Sequence, residues 1–435
     1  MSSKKTTKPP CGMRDFGPSD VLIREKIFDI AKEHFVLYGG NPIETPAMEI
    51  IDGIRDLYGE EFNKLVYKLD KDKSETLIMR YDLTYPFIRY CANNGIENFR
   101  RYQIGKVYRK DNPQIEKGRY REFYQCDFDI VGSDNETRVY DIEILSLLQK
   151  ILAKVIGEDT FIIEYNDREI VHDILNAANI SSNEYATVCS SLDKLDKHSW
   201  EYVEKELIDV KKIIPYSVEF LKEIVNKIQE NRFSELINTS ISQSSYDKLQ
   251  NINYLIDTLG ISKCFKFNPL LIRGLDYYTG IIYEAVYKDK NIMPSSIASG
   301  GRYDKMLGRL SNKKNIPAIG MSLGIERLVT ILEKTSEKQP SQIFPKVYVA
   351  GVGKNTLISR IKLCDKLRKK NISVQMCAKN NPKMGPQLNF VLENKIPYML
   401  VLGENEINKG TIMFKDIVKE EQIEISQVDI FDKLI

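Results

Sequence analysis

Histidine is scarce in this chain: three residues in 435, His34, His172 and His198, each isolated. That argues against a histidine-based metal site and against a serine–histidine–acid triad. Any catalysis has to rest on Arg, acids, Tyr and Gln. The cysteines at 11, 91, 126, 189, 264, 364 and 377 form no C-x-x-C pair. A zinc ribbon or redox motif is thereby disfavoured, and free thiols in a reducing compartment are expected. No apolar run approaches the length that crosses a bilayer. The polar start MSSKKTTKPP leads into no hydrophobic stretch, so no secretory leader is expected. A net charge of +2 makes the whole molecule a poor polyanion binder. Nucleic-acid contact must come from a local patch.

Glycine is also missing between Gly157 and Gly260, and this absence marks organisation. Within 168–260 apolar residues recur at helical spacing (Val218, Leu221, Val225, Ile228), which reads as a helical insertion. The stretch before it mixes helices and strands. VLIREKIFDIAKEHFVLYG predicts a helix stopped at Gly39-Gly40, and NPIETPAMEI an edge strand, because its prolines cannot serve a central one. RVYDIEILSLLQKILAKVIG predicts a second amphipathic helix, closed by Gly157. Strand signals return over 265–330, with FNPLLI and IIYEAVY flanking RGLDYYTG. Residues 333–345 are polar and proline-punctuated, a linker pattern. Beyond them VYVAGVG, ISVQMCA and PYMLVLG alternate with helical stretches, the order of a small βαβ domain.

Chemistry concentrates first at RRYQIGKVYRKDNPQIEKGRYREFYQCDFDIVG, residues 100–132, which reads as two strands around a basic loop. Arg100 to Arg121 hold eight Lys or Arg and two acids. A charge run alone is usually a solvated hairpin. Period-two alternation, however, puts Arg119, Arg121, Phe123, Gln125, Asp127 and Asp129 on one face. Such a face packs poorly but binds well. Arginine forks pair with phosphate oxygens, a phenyl ring stacks on a base, and Gln and Asp hold an ammonium or an imidazole N–H.

Tyr108-Arg109, the loop, Arg119, Phe123 and Asp127 together resemble motif 2 of class II aminoacyl-tRNA synthetases, with Asp111 where that motif has Glu. AIGMSLGIERLVTIL, 318–332, resembles motif 3, and residues 16–48, with Pro46, resemble motif 1. RGLDYY and, about 25 residues on, SGGRYD resemble the two signatures of the histidyl-tRNA synthetase family. RYDLTYPFIRY resembles its segment for the amino group, although Asp82 and Thr84 would also suit a helix cap. The adjacent Gly300 and Gly301 suit a close backbone approach to a ligand, or simply a turn. The resemblance runs from about 10 to 430 and is nearest the eukaryotic cytosolic branch.

Several expectations follow from the resemblance. The fold is an α+β catalytic domain with a mainly antiparallel sheet (11–167 and 261–332), preceded by a basic disordered tail (1–10). The helical insertion (168–260) interrupts it, and a C-terminal α/β anticodon-binding domain (346–435) follows the linker. Arg109 and Arg273 are expected to be catalytic at the α-phosphate and the substrate carboxylate. Asp82, Thr84 and Gln125 should hold the α-ammonium of histidine, Asp129 and Tyr278 the imidazole, and Tyr277 the pocket wall. Asp111, Arg119, Phe123 and Arg327 should bind ATP, with Phe123 on adenine and Arg327 at the γ-phosphate. Gln114 and Lys117 should meet the tRNA acceptor end. ATP comes with Mg2+ for which no protein ligand can be named. L-histidine and tRNA(His) are the expected partners, with a homodimer through the motif 1 region, no membrane and a cytoplasmic location. The role of Asp276 is open, orienting Arg273 being one option. Two other readings remain: a regulatory histidine- or tRNA-sensing relative, and a plain nucleic-acid-binding protein.

Overall fold

Apolar residues Ile23, Ile27, Phe28, Ala31 and Phe35 line one side of helix α1, Pro18–Leu37, and all are buried. Proline suits its first turn, where the amide would have no helical partner. Gly39, at φ +75°, lets the chain turn out of the helix. The computed structural model describes residues 7–69, 75–133, 137–196, 198–272, 277–311, 315–335 and 344–434. It divides into two units, Met1–Gln339 and Pro340–Ile435.

The first unit continues with β1 (Asn41–Pro42), β2 (Met48–Ile50), α2 (Asp52–Leu65), β3 (Leu77–Met79), α3 (Thr84–Asn94), β4 (Phe99–Tyr108), β5 (Glu122–Val131), α4 (Val139–Ile156) and β6 (Phe161–Asp167). Helices α5 (Arg168–Ala177), α6 (Tyr185–Leu192), α7 (Trp200–Lys205), α8 (Pro215–Gln229) and α9 (Gln243–Thr258) fill the glycine-free stretch. Then come β7 (Phe265–Phe267), β8 (Ile281–Tyr287), β9 (Ser296–Arg302), α10 (Met306–Ser311), β10 (Ala318–Gly324) and α11 (Ile325–Thr335).

Among the described residues the main sheet has the order β1-β4-β5-β10-β9-β8-β6-β7. Its six central strands pair antiparallel; β1 on β4 and β7 on β6 add parallel edges. β2 and β3 form a separate ribbon. Alternation then sorts the faces. Cys126, Phe128 and Ile130 of β5 enter a core built with α1, α4, α9 and α11. Gln125, Asp127 and Asp129 take the opposite face, under α2 and α3.

Three local expectations are corrected. FNPLLI is strand only at Phe267, and Asn268–Ile272 turn instead, with Leu271 N–H bonded to Asn268 O. Of the two readings of Gly300 and Gly301, the turn is the one corrected, since both lie inside β9. Arg119 and Arg121 precede β5 and belong to the loop. Helix α11 runs to Thr335, into the stretch read as linker, whose residues 336–343 lie outside the described ones, as do residues 1–6 of the tail.

The second unit holds β11 (Val347–Gly351), α12 (Leu357–Lys369), β12 (Val374–Met376), α13 (Met384–Glu393), β13 (Tyr398–Leu402), α14 (Glu404–Lys409), β14 (Thr411–Asp416), β15 (Glu421–Ser426) and α15 (Ile430–Leu434). Its order is β12-β11-β13-β14-β15, the first three parallel and the last two an antiparallel hairpin. That hairpin has no counterpart in the sequence reading. β15 is almost wholly exposed, so burial imposes little pattern on it.

Candidate active site

The register places the chemistry in rows. Arg101 of β4 faces Asp129 of β5, which faces Gly320 of β10, which faces Gly301 of β9. The next row is Gln103, Asp127, Ser322 and Ser299; the next is Gly105, Gln125 and Gly324; Val107 and Phe123 follow. Small residues dominate β10 and β9 here for steric reasons. A Cβ on Gly301 would lie 2.8 Å from Cδ1 of Tyr278, and one on Gly320 would overlap the Asp129 carboxylate.

Charge is buried along these rows. Arg101 is fully buried; its Nη2 stands 2.7 Å from Asp129 Oδ2 and 3.8 Å from Asp127 Oδ2, and it donates to Leu83 O at 3.0 Å. Nε and Nη1 of Arg101 find no hydrogen-bond partner among the described residues. The Tyr303 hydroxyl donates to Asp129. Burial raises the Asp129 carboxyl against the pull of Arg101 and Tyr303. Burial likewise pushes Asp127 up to about 7, with Arg101 opposing and Asp129 adding to the rise. Gln125 donates to Ser322 Oγ at 3.1 Å, while its Oε1 is buried without a partner.

Asp82 stands where β3 gives way to α3. Its Oδ1 accepts the Tyr85 N–H at 3.1 Å, tying down the first turn, and its Oδ2 accepts the Tyr58 hydroxyl at 2.6 Å. Burial raises this carboxyl, opposed by Tyr58 and by the charge of Arg109. Thr84, half-buried, opens α3. Arg109 donates from Nε to Tyr81 O at 3.1 Å, and its guanidinium lies 4.2 Å from the Tyr81 ring centre and 5.2 Å from that of Phe123. Its burial would lower it, but the surrounding Tyr81 and Asp82 more than offset this, so it stays firmly cationic. Tyr277 and Tyr278 pack at 4.8 Å, and Tyr277 also meets Tyr58 at 5.4 Å and Tyr303 at 6.2 Å. Burial holds the Tyr277 phenol well above its ordinary range.

At the other end of β5, Arg119 pairs with Asp111 through Nε at 2.8 Å. Gln114 and Arg119 exchange backbone bonds that close the hairpin, leaving Gln114 and Lys117 exposed at its tip. Gly118, at φ +67°, packs on α11, where a Cβ would lie 3.1 Å from the Arg327 backbone. Arg327 donates to Ser296 O and, at 3.3 Å, to Ser296 Oγ. Its neighbour Glu326 is buried and accepts the Tyr124 N–H at 3.2 Å. Arg273 and Asp276 lie outside the described residues.

Asp82, Arg109, Gln125, Asp129, Tyr277 and Tyr278 thus share one face of the sheet and its cover. Asp111, Arg119 and Arg327 gather at the hairpin and α11. Sequence reasoning missed Arg101, Tyr58 and Tyr303. Arg101 shares the alternation of β4 and Tyr303 lies in SGGRYD, so both carried a signal. Tyr58, on α2, carried none.

Comparison with known proteins supplies the rest. The family profile described as "Histidyl-tRNA synthetase" matches residues 12–328, and that described as "Anticodon binding domain" matches 346–435. A "Histidine--tRNA ligase, cytoplasmic" from Dictyostelium discoideum is 37% identical over 437 residues, covering 98% of this chain and 90% of that protein. A "Histidine--tRNA ligase" from Caenorhabditis elegans is 37% identical, over 96% of this chain and 85% of that one. A "Histidine--tRNA ligase, mitochondrial" from Bos taurus is 35% identical, over 98% and 87%. Among solved structures, a histidyl-tRNA synthetase from Nostoc sp. superposes with a TM-score of 0.77 over 99% of each chain, at 24% identity, a likeness of fold.

Proposed function

The chain belongs to the histidyl-tRNA synthetase family, and on that premise we propose how its residues divide the work of joining L-histidine to tRNA. It is a ligase. It activates L-histidine with ATP to histidyl-adenylate and pyrophosphate, then transfers histidine to the 3′ end of tRNA(His). In the first step a carboxylate oxygen attacks the α-phosphorus and the pyrophosphate oxygen leaves with the bonding pair. In the second a terminal ribose hydroxyl attacks the activated carbonyl and AMP leaves. Such chemistry depends on positioning and on neutralising charge as it develops.

Arg109, fixed by Tyr81, bridges the substrate carboxylate and the α-phosphate. Arg273 adds a second cation there. Asp82, Thr84 and the unpartnered Oε1 of Gln125 take the α-ammonium. Asp129 accepts one imidazole N–H and Tyr278 bonds the other ring nitrogen, with Tyr277 as the wall. A pocket of buried polar groups rejects apolar analogues, since these would leave it unpaired. Phe123 stacks on adenine; Asp111, Arg119 and Arg327 complete the ATP site, Arg327 at the γ-phosphate. Gln114 and Lys117 meet the acceptor end, and residues 346–435 read the anticodon. No cluster of three His, Cys, Asp or Glu among the described residues would hold a resident metal. Magnesium accompanies ATP in this reading, and we give it no protein ligand.

One observation carries this reading: a buried, unpartnered amide oxygen shares a sheet face with buried carboxylates and a fixed guanidinium. Exchange of labelled pyrophosphate into ATP tests it. Exchange should require histidine and ignore other amino acids; purified protein that shows none with ATP and magnesium defeats it. A homodimer through residues 16–48 is part of the proposal, supported by the exposed apolar Val36 and Leu37 at the end of α1. Sedimentation as a monomer at micromolar concentration would count against it. We place the protein in the cytoplasm; cell fractionation is the check, since relatives with both cytoplasmic and mitochondrial names match it, at 37% and 35% identity.

A further inference from the structure

Residues 11–16 run up to the first residue of the motif 1 region, yet they are tied to two later elements, the hairpin before β5 and α11. Gly12 is buried at φ +79°. Its carbonyl accepts the Arg121 N–H at 2.8 Å, and the Cys11 carbonyl accepts from Arg121 Nη1 at 3.5 Å. A Cβ at position 12 would fall 2.8 Å from the Arg121 methylenes and 3.1 Å from Pro113. Arg14 donates to the Tyr120 hydroxyl at 3.2 Å, pairs with Asp20, and stands 3.8 Å from Glu333 of α11. Phe16 rests edge-on against Tyr120, with ring centres 5.8 Å apart. Arg121 in turn donates from Nε to Asp111 O at 3.1 Å. The hairpin therefore touches α11 directly at Gly118 and is tied to it again through this segment.

A short exposed hairpin with few buried contacts opens at little free-energy cost. Left to itself it would present Asp111 and Arg119 in many arrangements. A ligand needing one arrangement then binds more weakly, in proportion to how rarely it is populated. Bonds from a buried glycine carbonyl and a branched arginine fork remove that freedom before the ligand arrives. We infer that residues 11–16 form a positioning strap for the ATP-binding hairpin, with Gly12 and Arg14 as positioning residues acting through Arg121 and Tyr120. This deepens the synthetase reading and rests on it. None of the contacts just described reaches Asp82, Gln125, Asp129 or Tyr277, and the strap meets the histidine side only through the Arg109 N–H, which the Arg121 carbonyl accepts at 2.9 Å, so it bears first on ATP.

The test uses full-length Gly12→Ala, Arg14→Leu and Arg14→Lys beside the parent. KM for ATP and for histidine are read from histidine-dependent pyrophosphate exchange, together with thermal midpoints. Gly12→Ala and Arg14→Leu should raise KM for ATP about tenfold, with KM for histidine within about twofold. Arg14→Lys should fall between, because it keeps the charge and loses the fork. An unchanged KM for ATP, a parallel rise of both constants, or a loss confined to the amount of active protein overturns the strap. Should Gly12→Ala fail to fold, the two Arg14 variants decide by the same criterion. A parent without exchange defeats the synthetase reading and takes the strap with it. An active parent matched by its variants defeats the strap alone.

Discussion

Replacing Gly320 by alanine puts one methyl group where the imidazole-binding reading is most exposed to test. That methyl carbon would stand 2.5 Å from the carboxyl carbon of Asp129, closer still to Oδ1, and 3.2 Å from the Phe128 carbonyl oxygen. Carbon pairs are at ease near 3.5 Å, so the carboxylate must retreat by about 1 Å. Arg101, 2.7 Å from Oδ2, and the Tyr303 hydroxyl on Oδ1 hold it where it is. Misplacing a binding group by about 1 Å costs on the order of a hundredfold. Loosening a buried ion pair costs stability besides, by roughly 3 kcal/mol if the pair is broken outright. In pyrophosphate exchange, KM for histidine should rise about a hundredfold, while KM for ATP stays within about twofold. The thermal midpoint, measured alongside, separates altered recognition from unfolding. A folded Gly320→Ala protein with an unchanged KM for histidine refutes the role given to Asp129.

Tyr58→Phe removes the hydroxyl that lowers the Asp82 carboxyl. KM for histidine should rise about tenfold, as for loss of a hydrogen bond to a charged group. The acid limb of its pH profile should move to higher pH, and superimposable profiles would sink the assignment. Glu326 is raised to about 7 by burial, with Arg24 and the Tyr124 N–H opposing, from an ordinary 4.5. Between those values the folded protein holds a proton that the unfolded chain has released. Stability from this group is thus present below about 4.5 and is lost as pH rises towards 7, by at most about 1.4 kcal/mol per pH unit. Glu326→Gln lacks that slope, so its thermal midpoint should gain on the parent's from pH 5 to pH 8. Parallel curves would show that Glu326 does not titrate there.

Much of the catalytic sheet was legible because alternation is a strong signal on a strand with one core face. Phe123 to Asp129 on β5 read correctly for that reason, and Arg101 was recoverable by the same logic on β4. Arg119 and Arg121 extended the pattern past the start of β5, since hairpin residues can keep a strand's spacing and some of its bonds outside the regular ladder. FNPLLI read as strand from composition, but Asn268 and Pro269 turn it. Gly300, Gly301 and Gly320 were not interpretable as a set. What they share is lateral register across β9 and β10, which no single stretch of sequence displays. Tyr58 reaches Asp82 from another element, a contact made only by the folded chain.

The strand order also governs how the protein is made. β10, the strand between β5 and β9, is the last of the eight to be synthesised. Until residues 318–324 leave the ribosome, β5 and β9 lack the strand that joins them, and any half-sheet formed on either side would have an unpaired inner edge. Open edges template association with other chains, and long-range pairing is slow to form. Message truncated after β9 would therefore yield a sticky product rather than a merely inactive one, and demand for chaperones should peak just before the final strand emerges.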